Sequence, residues 1–458
     1  MNHKWSEIVL KKIYEYQILM FEAERYIWAH PETGFKEWEA HSYLKEKFNH
    51  MGFDVTEAGD ITGFFFDIDT GKSGPTVAIL GELDALILPE HPECNPETGA
   101  VHACGHHCQS SSLLGIAGVL SKPDVLAKLC GKIRIMAVPA EELIGLGERV
   151  QMKNSGKIKY MSGKSEFMRR GHFDGVDIAI MLHSTGGEAP GLGIIGGTSG
   201  LVAKRIVFEG SKNVAGARPL NGNNALYAAQ TAMSAINALR ETFPHEHNVR
   251  VQSIIAEGGE SVQLMPSEVV IESNVRAYGY DVLKSVNDKV NRAYAGAAVS
   301  LGTKVTIEDI EIYMPENNSN NKDLVDIAYE VGCDMFGKEN VRLNLDWGRR
   351  SPGATDMGNV GSVIPTIQPH LISPGCDNHV PEFQVEFPEY AVLYHGAVLA
   401  AMACVLLENG GERAKKVILG YTPIFSSIKE YCDEMDKIYR LKKAVEYNDD
   451  GSATLTWI

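Results

Sequence analysis

One stretch of the sequence, residues 76–120, restricts the fold more than any other. Thr76–Leu80 is a run of aliphatic and β-branched residues, as expected of a strand buried on both faces of a sheet. The acidic sequence GELDAL follows this strand, and an apolar, helix-forming segment occupies residues 110–120. A buried strand, a loop and a helix in this order are typical of an α/β domain with a mostly parallel sheet.

The loop inside this stretch is rich in metal-binding side chains. Glu82 and Asp84 precede it, and the loop itself contains His102, Cys104, His106, His107 and Cys108. Borderline-soft metals such as zinc bind thiolate, imidazole and carboxylate groups, and this stretch supplies all three. The sequence therefore predicts a metal site after the strand.

Length and composition limit the class of protein. A chain of 458 residues is too long for one ordinary core, so at least two domains are expected. A net charge of −16 argues against nucleic-acid and anionic-membrane partners, which require a positive surface. No signal peptide begins the sequence and no window reaches the ~18 uninterrupted apolar residues of a membrane span, which predicts a cytoplasmic protein.

The alternation of predicted elements changes near the Gly-rich segment 191–200. The following strands and helices have the order β-α-β-β-α-β of a ferredoxin-like split unit, after which the α/β pattern resumes. The tail is highly charged and is expected to be a helical extension. The predicted organisation is a catalytic domain in two parts, 1–197 and 317–409, with an inserted domain, 198–316, and a C-terminal extension, 410–458.

Further candidate ligands follow other apolar strands. Open α/β sheets carry their sites where the carboxyl ends of the strands meet, and each of these groups follows an apolar run. The candidate ligands are Cys104, His106, Glu142, His183 and His379. Five ligands and a shared water suit two closely spaced divalent ions better than one tetrahedral zinc.

Glu141 and Glu142 are adjacent, which is costly at a strand end unless cations are nearby. If Glu142 binds metal, Glu141 can remain unligated and accept a proton from a metal-bound water as general base. Two other interpretations remain open at this stage. One is a structural zinc site formed only by the loop residues 104–108, and the other is a ligand-binding protein on a hydrolase scaffold.

Several motifs resemble those of peptidase family M20. They are HPETGFKE, GELDAL, HACGH, PAEE, ARPLNGNNAL, GGESVQLMPS, VRA, ATDMGNVGSVIPTIQPH and NHVPEF. The resemblance is strongest to the amidohydrolase branch, which contains aminobenzoyl-glutamate hydrolases, indole-acetyl-amino-acid hydrolases, aminoacylases and certain dipeptidases. The motifs are distributed along most of the chain.

This resemblance implies a zinc-exopeptidase-like α/β catalytic domain and an inserted ferredoxin-like α+β domain that acts as lid and dimer interface. Two divalent ions are implied, Zn or Mn, with Co or Ni as alternatives, held by the five candidate ligands. Glu141 matches the catalytic base and Asp84 the acidic residue behind the site. Arg276 resembles the lid arginine that receives the substrate carboxylate, and Gln263 matches a substrate-binding position.

The sequence departs from the family pattern at three positions. His107 replaces the Asp or Asn that usually follows CGH. Val214 occupies the place of a lid histidine that can reach a neighbouring subunit's site, and Gln263 replaces an Asn. These changes leave the metal ligands intact but affect positions expected to contact substrate.

The predicted function is metal-dependent hydrolysis of the amide bond in an N-acyl or aminoacyl amino acid. The expected substrate is a small amide or dipeptide with a free carboxylate, including aminobenzoyl-glutamate-like conjugates, and the expected assembly is a homodimer through the inserted domain. The alternatives are a deaminase or other C–N hydrolase on the same scaffold, or a non-catalytic relative.

Overall fold

The structure is a computed structural model that describes residues 5–213, 222–318, 321–346, 350–439 and 441–456. The chain forms two compact units, each assembled from separate parts of the sequence. The first unit contains Met1–Gly197, Glu316–Arg349 and Asp356–Ile428, and the second contains Thr198–Pro315, Arg350–Thr355 and Lys429–Ile458.

The strands are numbered in chain order. Those of the first unit's N-terminal part are β1 (Thr56–Glu57), β2 (Phe64–Asp69), β3 (Thr76–Glu82), β4 (Leu86–Ile87), β5 (Ala100–Val101), β6 (Lys132–Val138), β7 (Ile178–Ile180), β8 (His183–Thr185) and β9 (Gly191–Ile195). The second unit begins with β10 (Gly200–Glu209), β11 (Arg250–Glu257), β12 (Glu268–Ala277) and β13 (Lys304–Tyr313). The remaining strands are β14 (Val341–Asn344), β15 (Thr366–Ile367) and β16 (His370–Ile372) of the first unit and β17 (Leu441–Tyr447) and β18 (Ala453–Leu455) of the second.

The α-helices are numbered in the same way. They are α1 (Trp5–Ile13), α2 (Gln17–Ala29), α3 (Trp38–His50), α4 (His106–Leu120), α5 (Pro123–Leu126), α6 (Leu146–Asn154), α7 (Gly163–Arg169), α8 (Ala225–Leu239), α9 (Tyr280–Leu301), α10 (Lys322–Phe336), α11 (Met357–Gly361), α12 (His395–Leu407), α13 (Glu412–Gly420) and α14 (Ile428–Ile438). A π-helical segment, Glu389–Tyr394, leads directly into α12.

The main sheet of the first unit is mostly parallel, as predicted. Its strand order is β1-β2-β6-β3-β7-β15, with β6, β3, β7 and β15 parallel and the β1 and β2 pairings antiparallel. Every residue of β3 is buried, because this strand lies in the interior of the sheet. The apolar run of residues 77–80 within it is the consequence of burial on both faces.

Two apolar helices form much of the first unit's core. Every residue of α4 is buried, and α12 is buried except at Val405. The continuous helix Glu389–Leu407 is long and apolar enough to cross a membrane by length and composition alone, but 83% of its most apolar window is buried inside the protein. Burial of this kind is typical of a core helix.

The second unit has the element order β10-α8-β11-β12-α9-β13, which is the predicted ferredoxin-like order. These strands lie in the sheet as β11-β12-β10-β13, and every pairing among them is antiparallel. Buried alanines of α8 and buried residues on one side of α9 supply the helical side of the core. The alternation of buried and partly exposed residues along β12 is typical of a sheet with one face on a core.

The predicted organisation of the C-terminal part needs correction. The tail 410–458 is not one helical extension: α13 belongs to the first unit, whereas β17 and β18 extend the sheet of the second. β17 pairs antiparallel with β13, with Val445 opposite Val305. Charged residues surround Ala444 and Val445 in β17, so the sequence does not show that these two apolar residues are buried. The free edge of β13 provides the pairing partner of β17. Residues 350–355, expected in the catalytic domain, also belong to the second unit.

Replacing Val445 with aspartate tests whether the tail is an integral strand. Because Val445 is fully buried, we expect V445D to lower the free energy of unfolding by at least about 2 kcal/mol, from lost apolar burial and the cost of a buried charge. Chemical denaturation followed by circular dichroism measures the change. The control K443D alters a side chain that is 65% exposed two positions away and should have little effect. Equal stability of V445D and wild type would show that β17 is a dispensable appendage.

Candidate active site and metal centre

The candidate ligands converge because their strands are neighbours. Asp84 follows β3, the Glu141–Glu142 pair follows β6, and His183 follows β7, so these groups lie at the carboxyl ends of adjacent parallel strands. The loop of His379 joins them through a hydrogen bond in which the His379 amide donates to the Ala103 carbonyl at 2.8 Å. Candidate ligands that are far apart in the sequence are therefore close together in the structure.

The five candidate ligands form two overlapping sets that share Cys104. Set A is Cys104, His106 and His183, and set B is Cys104, Glu142 and His379; within each set the ligating atoms lie within 4.8 Å of one another. Cys104 Sγ is 3.4 Å from His183 Nε2 and 3.2 Å from His379 Nε2. His379 Nε2 is 2.9 Å from Glu142 Oε1.

The two histidines of set A have one ring nitrogen committed to the backbone. His106 Nδ1 donates to the Asp84 carbonyl at 2.8 Å, and His183 Nδ1 donates to the Ser184 carbonyl at 2.8 Å. Such hydrogen bonds fix the ring orientation and leave Nε2 available for a metal ion. In both rings the nitrogen that makes no backbone hydrogen bond, Nε2, is the one directed towards the candidate metal site.

The buried ligand atoms are arranged in a way that suits binding of a divalent cation better than hydrogen bonding to one another. Among the described residues, His106 Nε2 is buried without a hydrogen-bond partner of adequate geometry, and the contact of Glu142 Oε1 is with His379 Nε2, another candidate ligand. Yet Glu82 Oε2 is only 3.1 Å from His106 Nε2. Tetrahedral zinc keeps nitrogen, oxygen and sulfur ligands about 3.4–3.6 Å apart, close to the spacings around Cys104. Nitrogen, sulfur and carboxylate atoms at these spacings suit zinc or a similar transition metal.

Asp84 positions two of these side chains. Its Oδ2 accepts a hydrogen bond from the Glu142 amide at 2.8 Å, and its Oδ1 is 3.3 Å from His106 Nδ1. Asp84 is fully buried and belongs to neither ligand set. Asp84 is therefore placed to orient Glu142 and His106 without being a ligand itself. Residues in such positions typically raise metal affinity by about 10–100-fold.

Three residues of the site have a left-handed backbone. Gly105, between two candidate ligands, has φ +80°, and the non-glycine residues Ala140 and His379 have φ +55° and +63°. Such conformations cost of order 1–3 kcal/mol in non-glycine residues and concentrate at functional sites. The buried Glu37 side chain holds one of them, because its Oε1 accepts from the Ala140 amide at 2.8 Å. This contact gives the HPETGFKE motif a structural role at the site.

A buried lysine neutralises part of the negative charge. The ammonium group of Lys164 contacts both Glu82 and Asp356, and all three side chains are fully buried. Burial alone would raise the pKa of Glu82, but Lys164 and His106 outweigh it and lower that pKa to about 2. Burial would likewise lower the pKa of Lys164, but the two carboxylates raise it. The ammonium and Glu82 are therefore charged together.

The adjacent glutamates have opposite pKa shifts. Burial, then the charges of Glu82 and Glu142, raise the pKa of Glu141 well above its ordinary value. Burial acts against ionisation of Glu142 as well, but the hydrogen bond from His379 lowers its pKa. Burial also raises the pKa of the Cys104 thiol, so thiolate formation there requires a cation. The carboxyl of Glu141 therefore has a higher affinity for a proton than that of Glu142.

Sequence reasoning did not identify several residues that support the site through hydrogen bonds and ion pairs. Glu82 is expected from the sequence as a carboxylate before the loop but not as a partner of a lysine, and Asp356 is included only within the motif ATDMGNVGSVIPTIQPH. Gln109 donates from Nε2 to Glu82 Oε2 at 2.9 Å and is not among the candidates from the sequence. Lys164 carries no motif in the sequence, because a single lysine in a short helix has the pattern of a surface residue.

The predicted substrate-binding residues belong to the second unit. Arg276, on β12, is partly buried, and its Nη1 donates to the Pro352 carbonyl at 3.3 Å. Gln263 is exposed in the segment between β11 and β12, where its amide donates to Ser261 Oγ at 3.3 Å. Val214 lies outside the described residues. The roles of Arg276 and Gln263 stay predictions.

The fold and the strand-end cluster together define a metallohydrolase class of α/β protein. The family model described as peptidase family M20/M25/M40 matches residues 78–403, and the chain belongs to this family. It is 28% identical over 275 residues to an N-acetyl-L-cysteine deacetylase of Bacillus subtilis, an alignment that covers 58% of this chain and 61% of that one. It is 27% identical to a Xaa-Arg dipeptidase of Mus musculus, over 84% of each chain.

Solved structures show the same fold. The crystal structure of the Bacillus subtilis YXEP protein, described as a dinuclear metal-binding peptidase of the M20 family, aligns with a TM-score of 0.61 at 20% identity. That alignment covers 86% of this chain and 99% of the other. The family resemblance and the fold class expected from the sequence are therefore confirmed.

Replacing Lys164 with methionine tests the charge balance of the site. We expect K164M to lower the free energy of unfolding of the metal-free protein by about 3–5 kcal/mol, because loss of one partner leaves buried carboxylates uncompensated. Chemical denaturation measures this change. The control K322M removes an exposed lysine, 80% accessible and paired with Asp326, and should leave stability unchanged. Equal stability of K164M and wild type would contradict the neutralising role.

Proposed function

We propose that this protein is a metal-dependent hydrolase that cleaves the amide bond between an acyl or aminoacyl group and an amino acid. The observation that carries the proposal is the pair of ligand sets sharing Cys104, with the carboxyl of Glu141, whose affinity for a proton is raised, beside them. Membership of the M20 family supports it, as do the names of the two relatives, since a deacetylase of N-acetylcysteine and a dipeptidase both act on amides.

The two ligand sets would hold two divalent ions, with the Cys104 thiolate common to both. We propose zinc or manganese, with cobalt or nickel as alternatives that the same donors accept. The ions, when bound, lower the pKa of water and polarise the substrate carbonyl. The dinuclear metal centre named for the structurally similar YXEP protein supports this number of ions.

Glu141 would move the proton in this reaction. Its carboxylate accepts a proton from the attacking water, a carbon–oxygen bond forms, and the carbon–nitrogen bond breaks. The protonated Glu141 then delivers the proton to the leaving amine, so the carboxylate is regenerated. Burial and the neighbouring Glu82 already favour the protonated carboxyl, which is the form needed for this second step.

The remaining parts of the proposal concern substrate and assembly. We propose that Arg276 binds the substrate carboxylate by a bidentate contact and that Gln263 contributes to substrate binding. A homodimer through the second unit is supported by β11, a terminal strand of its sheet in which Ile254 is 62% exposed. The cytoplasmic location and the absence of nucleic-acid and membrane partners stay predictions.

Replacing Glu141 with glutamine tests the general base directly. We expect E141Q to lower kcat by about 10²–10⁴-fold, because the amide cannot accept the water's proton. Metal content should stay near that of wild type if the ions occupy sets A and B, which do not include Glu141. A loss of metal would instead favour the alternative group of Glu82, His106 and Glu141. Hydrolysis of N-acetyl amino acids and dipeptides, with metal analysis by mass spectrometry, measures both quantities.

The matched control is E148Q, which alters a glutamate that is 61% exposed on α6 and should leave kcat unchanged. Full activity in E141Q would remove Glu141 from the mechanism. Loss of activity together with loss of metal would assign it to the ligands instead.

Replacing Arg276 with glutamine tests the carboxylate contact. We expect R276Q to raise KM for N-acyl amino acids by about 10–100-fold, as expected for loss of a charge-assisted hydrogen-bonded pair worth about 1.5–3 kcal/mol. The same substrates with a carboxamide in place of the carboxylate should be unaffected by the change. The control R250Q alters the neighbouring arginine opposite Arg276 in the sheet. Equal KM increases for acids and carboxamides would show a structural effect only.

A further inference from the structure

A second cluster of metal-binding side chains lies in the core of the first unit, outside ligand sets A and B. Glu24 of α2 and His107 and Cys108 of α4 bring one carboxylate oxygen, one ring nitrogen and one sulfur within 4.8 Å of one another. The three side chains, here named the α2–α4 cluster, are at most 1% exposed. None of them is shared with set A or set B.

The spacing within the α2–α4 cluster is that of a tetrahedral ion. His107 Nε2 is 3.4 Å from Glu24 Oε1 and 3.4 Å from Cys108 Sγ. The contact with Cys108 Sγ is a hydrogen bond of ordinary length for sulfur, and the contact with Glu24 Oε1 is long for a hydrogen bond between nitrogen and oxygen. Zinc with nitrogen and oxygen ligands at about 2.0–2.2 Å and sulfur at about 2.3 Å separates its ligand atoms by about 3.4–3.6 Å.

The buried carboxylate of this cluster has charged or ring partners nearby but, within the part of the chain that the structure describes, no hydrogen bond of good geometry. Among the described residues, neither oxygen of Glu24 has a hydrogen-bond partner of adequate geometry, although both are buried. Arg25 Nε lies 3.0 Å from Glu24 Oε2, and its side chain is 60% exposed, so the other oxygen, Oε1, is left facing His107. A buried carboxylate without donors costs several kcal/mol unless a cation binds it.

We propose that the α2–α4 cluster is a separate binding site for a borderline-soft divalent cation, with Zn²⁺ as the reference ion. One carboxylate and one thiolate balance the charge of such an ion, and a neutral imidazole completes a set of three protein ligands. Binding releases the thiol proton of Cys108 to solvent. A water molecule or another group would take the fourth position.

The site is distinct from the active site although it adjoins it in sequence. His106 Nε2 faces Glu82 and belongs to set A, whereas His107, one residue later on α4, faces α2. The Trp28 ring, 4.9 Å from that of His107, covers the cluster on the α2 side. A bound ion would link α2 to the first turn of α4 through these three side chains.

Counting zinc per chain tests the proposal. Protein stripped with a chelator and dialysed against Zn²⁺ is analysed by mass spectrometry as wild type, E24Q and C108A. We expect each variant to hold about one ion fewer per chain than wild type. The matched controls are E22Q, an exposed glutamate on α2, and C404A, a buried cysteine of α12, and both should hold as much zinc as wild type.

Cobalt gives a second readout. Loading with Co²⁺ should produce thiolate-to-cobalt charge-transfer absorption from both Cys104 and Cys108, and C108A should lose only part of it. Equal zinc content in wild type, E24Q and C108A would overturn the proposal. If the variants do not fold, the wild type decides: about three ions per chain at saturation supports the site, and about two or fewer contradicts it.

Discussion

Buried negative charge at the carboxyl ends of β3 and β6 is the constraint on which the site depends. Glu82, Asp84, Glu141 and Asp356 are buried there together, with Glu142 and the Cys104 thiol beside them. The single ammonium of Lys164 contacts both Glu82 and Asp356 and compensates one of their charges, and a hydrogen bond from the Glu142 amide fixes Asp84. Burial raises the pKa of Glu141 and of the Cys104 thiol, so added cations favour their ionisation. The ligand sets around Cys104 are where such cations would bind.

The charge arrangement also separates the two adjacent glutamates. Glu142 is anchored from behind by Asp84 and in front by His379, which keeps it ionised. Glu141 faces Glu82 instead, and their repulsion in a buried environment favours a proton on Glu141. Two identical residues, one position apart, thereby acquire different chemistry because their neighbours differ. This difference is the physical basis for assigning one to metal binding and the other to proton transfer.

The sequence predicted the parts of the molecule that have strong local patterns. The strand predicted at 76–80 and the helix predicted at 110–120 are present as parts of β3 and α4, because apolar runs define them. Other features depend on contacts between distant segments. Lys164 has no distinctive local sequence, and β17 is a strand because β13 offers a free edge rather than because of its own charged sequence. Arg276 and Gln263 were selected by motif alone, and their roles await experiment.

The N-terminal turn of α4 links the two metal-binding regions. Gly105, with φ +80°, turns the chain so that His106 is directed to one side and His107 and Cys108 to another. A change in this turn would therefore affect both regions at once. The residue His107, which departs from the family pattern, takes part in the contact between α2 and α4 rather than in set A or set B.

The central claim is that two ions share the Cys104 thiolate in one hydrolytic site. Anomalous X-ray diffraction from crystals of the zinc-loaded protein, recorded on both sides of the zinc absorption edge, tests it most directly. The account predicts two adjacent peaks next to Cys104 Sγ, one bound by His106 and His183 and the other by Glu142 and His379. A single peak there, or two peaks of which only one contacts Cys104, would contradict it.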